Sequence, residues 1–254
     1  MSVYSETRGM GPDIVLLHGW GLNSNIWDHF ADVLAQQYRV TLIDLPGHGR
    51  STMPNNYELA TITQEVLAAA PPRAMWLAWS FSGLIATQVA ATLPQRISKL
   101  VLAASSPRFV RDDDWPHAMS PQSLNQFAHD LEHNYSATLD RFLALLGWGD
   151  SDPRTFIRTL RARLLQQPTP QPEALRGALT LLHNSDMRPQ LAQVRCPVLI
   201  ALGRHDALVP RAVGEDIIKL VPHARLHIFE TAGHAPFLTH TAEFMQLLND
   251  FTHE

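Results

Sequence analysis

The chain has 254 residues, 45% of them hydrophobic, enough to bury a sizeable core in one domain or one domain with an insertion, which excludes a disordered chain. Its 20 Lys+Arg stand against 24 Asp+Glu, a formal charge of -4, so no basic field argues for nucleic acid and any charged partner must be met locally. The single cysteine, Cys196, excludes an internal disulfide, and its apolar surroundings read as those of a small buried hydrophobe rather than a nucleophile.

The N-terminus lacks a positive start followed by an apolar core, and no apolar run approaches the roughly 20 residues of a membrane span. The expectation is a soluble, cytoplasmic monomer with no membrane or nucleic-acid partner. From residue 13 onward, short apolar runs alternate with amphipathic ones. Strands are expected at 13–17, 38–43, 74–79 and 98–104, with helices at 26–37, 57–70 and 81–93. The pattern resumes with strands at 196–203 and 224–229 and helices at 211–220 and 240–251. Strands this apolar need cover on both faces, so the alternation implies a mostly parallel, doubly wound α/β sheet.

Between residues 112 and 187 the alternation stops. Helical patterns at 121–134, 136–147, 153–166 and 172–184 are separated by Gly147, Gly149, Pro153, Pro168, Pro170 and Pro172. This reads as a helical cap, residues 112–187, inserted into a core formed by 1–111 and 188–254. Over the carboxyl ends of the strands, such a cap would make the pocket and set the substrate.

Ser80 stands where an apolar strand turns into a helix, the place of a nucleophile elbow. The usual Gly-x-Ser-x-Gly here reads Ala78-Trp79-Ser80-Phe81-Ser82, with both glycines replaced by other small residues. An elbow serine needs a carboxylate and then a histidine later in the chain. Asp206 follows the strand ending at Gly203, and His234 follows the strand ending at Phe229. Asp150, Asp152 and Asp186 follow no core strand, and Asp44 precedes Ser80. His18 and His205 do not fit the chain order and read as loop supports. Ser82 reads as a small spacer. A second oxyanion donor besides the Phe81 amide is expected from His18-Gly-Trp-Gly21, with the Trp20 amide as candidate.

His18-Gly-Trp-Gly, Asp44-Leu-Pro-Gly-His-Gly-Arg-Ser51, the Ser80 elbow, Gly203-Arg-His-Asp206 and Gly233-His-Ala-Pro-Phe237 together resemble the α/β-hydrolase superfamily over nearly the whole chain. Leu16-Leu-His-Gly-Trp-Gly-Leu-Asn23, Ala104-Ser-Ser-Pro107, Asp114-Trp-Pro116 and Arg141-Phe-Leu-Ala-Leu145 are similar to the BioH group, the pimeloyl-[acyl-carrier protein] methyl ester esterases of biotin synthesis. The resemblance implies an esterase with Ser80, Asp206 and His234 as triad and Trp20 and Phe81 at the oxyanion. It further implies an acyl carrier protein bearing a pimeloyl methyl ester as partner, and neither metal nor organic cofactor. Phe81, in place of a more typical aliphatic residue, is expected to narrow the acyl pocket.

Phe142, Leu146, Trp115 and Trp148 are candidates for the apolar acyl tunnel and equally for packing inside the cap. Arg154, Arg158 and Arg161 fall on one helix face, with Arg163 opposite. Together with Arg141 they are candidates for docking the carrier's acidic surface or its phosphate, or else a solvated basic face. The alternatives to the pimeloyl ester are a general short-chain carboxylesterase or thioesterase of the same fold, and a non-catalytic ligand-binding relative.

Overall fold

Continuous apolar strands require cover on both faces, and the computed structural model, which describes residues 2–253, supplies it. Seven strands form one sheet in the order β1-β3-β2-β4-β5-β6-β7. They are β1 (Ser5–Arg8), β2 (Asp13–Leu17), β3 (Arg39–Ile43), β4 (Ala74–Trp79), β5 (Ile97–Ala103), β6 (Val198–Gly203) and β7 (Arg225–Phe229). All neighbours are parallel except β1, which runs antiparallel to β3 with Ser5 opposite Ile43.

The central strand β4 is buried at every residue, and its side chains divide by parity. Trp76 and Ala78 face a core shared with helices α2 (Leu59–Ala69), α3 (Ser82–Thr92) and α9 (Ala212–Leu220). Met75, Leu77 and Trp79 face a second core shared with α1 (Asp28–Leu34) and α11 (Thr241–His253). The chain builds outward from β2 in one direction and then crosses to β4 on its other side. That reversal leaves a crevice between the carboxyl ends of β2 and β4, where parallel α/β sheets bind ligands.

Between β5 and β6 lie four long helices, α4 (Pro121–His133), α5 (Tyr135–Leu146), α6 (Pro153–Leu164) and α7 (Pro172–Asn184), followed by a short one before β6. Their starts are written in the sequence. Ser120, Asn134 and Asp152 each accept a hydrogen bond from a backbone N–H three residues on, and proline opens α4, α6 and α7. Short helices α8 (Arg188–Leu191) and α10 (Pro236–Thr239) complete the fold. No helix among the described residues is long and apolar enough to cross a membrane.

Two local features differ from the sequence reading. The edge strand β1 carries no apolar alternation. Its Arg8 is instead ion-paired to Glu6, Asp28 and Asp32 at 2.6, 2.8 and 3.0 Å. Cys196 lies two residues before β6, half-buried rather than inside the strand, and burial pushes its thiol up to about 11.

Candidate active site

Ser80 occupies the turn between β4 and α3 with φ of 57°, a left-handed conformation that a non-glycine residue adopts only when its surroundings impose it. Those surroundings are visible. The Ser80 N–H donates to the Ala103 carbonyl at 2.9 Å, and the Ser80 carbonyl accepts from Ser105 Oγ at 2.8 Å and the Gly83 N–H at 3.0 Å. The next residue, Phe81, caps α3, so its amide is among the unpaired donors of a helix start.

Ser80 Oγ lies 2.9 Å from His234 Nε2, and His234 Nδ1 lies 2.7 Å from Asp206 Oδ2. A carboxylate can only accept, which assigns the proton to Nδ1 and leaves Nε2 free to accept the serine proton. The other Asp206 oxygen accepts from the Leu208 and Val209 amides at 2.8 and 3.0 Å, fixing the carboxylate from behind. All three residues are buried, His234 to 1% exposure. The His234 loop is itself held. Trp79 Nε1–H donates to the His234 carbonyl at 2.8 Å, and the Gly233 N–H donates to the Trp148 carbonyl at 3.3 Å.

The loop after β2 passes against the nucleophile. A Cβ at Gly19 would stand 2.9 Å from the Trp79 ring and 3.3 Å from Ser80 Cβ, so only glycine allows this approach. Trp20 then anchors the loop to the helices above: its Nε1–H donates to the Leu175 carbonyl at 3.0 Å, and its ring meets Phe127 edge-on at 4.9 Å. His18 supports the loop from below, bonded to the Gly19 carbonyl at 2.8 Å and accepting from the Leu45 N–H at 2.9 Å. Burial holds its pKa below the usual imidazole range. Burial also pushes up on Asp44, but the bond from Arg50 Nε, the neighbouring His18 and the bonds from Ser24 and the Arg50 amide outweigh it and keep the carboxyl below its ordinary value.

Ser80 opens into a narrow pocket of about 50 Å³. Trp20 and Phe142, both read from the sequence, line it together with Leu124, Phe127, Leu179 and Leu182 from α4 and α7, and with Phe109, Met119 and Leu208. The latter seven were not singled out, although the i, i+3 spacing of 124 with 127 and of 179 with 182 is the signal of one helix face. Phe81 and Leu146 do not line it. The Phe81 side chain is buried in the same core as Trp20, Leu124 and Leu179, behind the pocket wall, and Leu146 is buried in the other core with Phe142. Trp115 instead donates to the Arg108 carbonyl at 3.0 Å, and Trp148 is 57% exposed beside the His205 ring.

The arginines on the insert are unequal. Arg154 and Arg158 are exposed. Arg161 pairs with Asp140 of α5 at 2.8 Å, and Arg141 pairs with Asp130 of α4 at 3.0 Å. Within the acid-free stretch from 154 to 163, Arg161 therefore takes a carboxylate partner from a neighbouring helix, which one-dimensional charge counting misses.

The model of the alpha/beta hydrolase fold family matches residues 12–241. A pimeloyl-[acyl-carrier protein] methyl ester esterase of Serratia marcescens is 43% identical over 251 residues, covering 98% of each chain. The esterase of the same name from Aliivibrio salmonicida (strain LFI1238) is 40% identical over 250 residues, 98% of this chain and 95% of that one. Among solved structures, an esterase from Exiguobacterium antarcticum superposes with a TM-score of 0.89 at 23% identity, covering 99% of this chain and 96% of that one, a likeness of fold. Fold, family match and full-length relatives agree, and the chain belongs to the α/β-hydrolase fold family, within its pimeloyl-[acyl-carrier protein] methyl ester esterases.

Proposed function

We propose that this protein is a serine carboxylesterase that hydrolyses pimeloyl-[acyl-carrier protein] methyl ester to pimeloyl-[acyl-carrier protein] and methanol in biotin synthesis. The observation that carries the chemistry is the continuous run Asp206–His234–Ser80, with links of 2.7 and 2.9 Å, opening into an apolar pocket. His234 takes the Ser80 proton as Oγ attacks the ester carbonyl, and the Trp20 and Phe81 amides hold the oxyanion. The tetrahedral intermediate collapses, and His234 returns the proton to the departing methoxide, giving methanol and an acyl-serine. Water then attacks the acyl-serine in the same way and releases the acid. Asp206 fixes the imidazole tautomer and offsets its charge in the protonated state.

In this reading residues 112–187 form a cap over a core of 1–111 and 188–254. Trp20, Phe142 and the α4 and α7 leucines hold the acyl chain, and Arg154 and Arg158, flanked by Arg141 and Arg161, meet the carrier's acidic surface. The protein acts without metal or cofactor, in the cytoplasm. A general short-chain esterase is the second reading, favoured by the small volume of the pocket.

Labelling with a fluorophosphonate tests the chemistry, since it requires an activated serine. Wild type is expected to label and Ser80→Ala to stay unlabelled, with turnover of p-nitrophenyl butyrate falling on the order of a million-fold. Equal labelling of both proteins would overturn the assignment.

A further inference from the structure

The ladder between β2 and β4 ends at the pair Leu17 and Ala78. Beyond it the two chains diverge, β2 into the loop carrying Trp20 and β4 into the elbow carrying Ser80. The two oxyanion amides of the proposed site therefore sit on segments that no backbone ladder joins, and their separation must be set by something else. Ser82 lies at that point. Its Oγ is 3.0 Å from the Leu17 carbonyl and 3.0 Å from the Trp79 carbonyl, and the residue is fully buried. One hydroxyl proton shared between these oxygens ties the last residue of β2 to the residue before the nucleophile.

We propose that Ser82 is a positioning residue, which sets the distance between the Trp20 loop and the Ser80 elbow and thereby aligns the two halves of the oxyanion hole. The usual elbow carries glycine here and has no group able to form this tie, so the departure from the pattern is a replacement with its own function. Only His18 and Gly19 separate Leu17 from Trp20, so a shift of the Leu17 carbonyl is passed along a short segment to the Trp20 amide. The bond to Trp79 alone would be local back-bonding from the first turn of a helix. The bond to Leu17 spans 65 residues and joins the end of β2 to the start of α3. Oxyanion donors stabilise the transition state more than the bound ester, so loss of alignment acts on kcat rather than KM.

The inference rests on the esterase reading above, and its test separates the two. Wild type, Ser80→Ala, Ser82→Ala and Ser82→Gly are compared for p-nitrophenyl butyrate hydrolysis, rate of fluorophosphonate labelling and affinity for an alkyl boronic acid, which mimics the tetrahedral intermediate. Both Ser82 variants are expected to lose on the order of tenfold in kcat, with KM within about twofold. Labelling rate and boronate affinity fall by a similar factor. Variants that keep wild-type kcat and boronate affinity, or that lose activity only through KM, overturn the positioning role while labelling of Ser80 leaves the esterase reading intact. A wild type that neither labels nor hydrolyses esters overturns both, because there is then no oxyanion hole to align.

Discussion

His48 is fully buried, with Nδ1 bonded to the Pro46 carbonyl at 3.0 Å and its Nε2 without a hydrogen-bond partner among the described residues. Burial, with a smaller contribution from His18, lowers its pKa to about 3, from an ordinary value of 6.5. The unfolded chain therefore binds a proton below pH 6.5 that the folded protein refuses, so stability is present above pH 6.5 and lost as pH falls toward 3. His18 is shifted in the same direction, also by burial. The urea midpoint should fall clearly between pH 7.5 and 5.0, and His48→Gln should flatten that dependence even if it lowers the midpoint itself. An unchanged slope would mean that His48 is not the source. At this scale the grouping of Ser80, Asp206 and His234 was legible because each follows a strand, at the turn or in the loop beyond it, in the required order. The tie from Ser82 to Leu17 was not, because a hydroxyl's partner on a strand 65 residues away leaves no trace in local sequence.

The elbow is an element held by crowding. A Cβ at Gly83 would overlap Ser105 Oγ, whose hydroxyl donates to the Ser80 carbonyl at 2.8 Å. Gly83→Ala should therefore push on the residue that holds the strained serine. The expected cost is about 1–3 kcal/mol, with a lowered kcat on p-nitrophenyl butyrate. Thermal unfolding beside wild type checks this, at roughly 2–4 °C per kcal/mol for a chain of this size. An unchanged melting temperature would show that α3 can move away from β5 without loss. The helices and buried strands were readable from period and punctuation, and their observed ends fall within a few residues of the sequence reading. β1 escaped because an edge strand of Ser-Glu-Thr-Arg is fixed by ladder bonds and ion pairs, not by an apolar face. The contents of the pocket were legible only at Trp20, Ser80 and Phe142. Spacing shows that Leu124 and Phe127 share a helix face but not which cavity that face meets.

On the whole molecule, the helices between β5 and β6 join both cores to the crevice at the sheet's switch point: α4, α5 and α7 line the pocket, while Arg154, Arg158 and Arg161 stand on α6. Because Arg141 and Arg161 already have carboxylate partners, Arg154 and Arg158 should dominate carrier recognition. Replacing both by Ala should raise KM for a carrier-bound ester about tenfold and leave p-nitrophenyl butyrate hydrolysis within twofold. The wild-type advantage should shrink at high salt, as expected for exposed charges. Equal losses on both substrates would point to a damaged insert instead. The family was legible in the sequence because its motifs lie at strand ends along the entire chain, whereas the pairing of Arg141 with Asp130 and of Arg161 with Asp140 arises only on folding. The most direct measurement is hydrolysis of pimeloyl-[acyl-carrier protein] methyl ester beside free p-nitrophenyl esters of increasing chain length, with Ser80→Ala as control. The account predicts a higher kcat/KM for the carrier-bound methyl ester, abolished by the substitution. Activity confined to small free esters would contradict it and leave a general carboxylesterase.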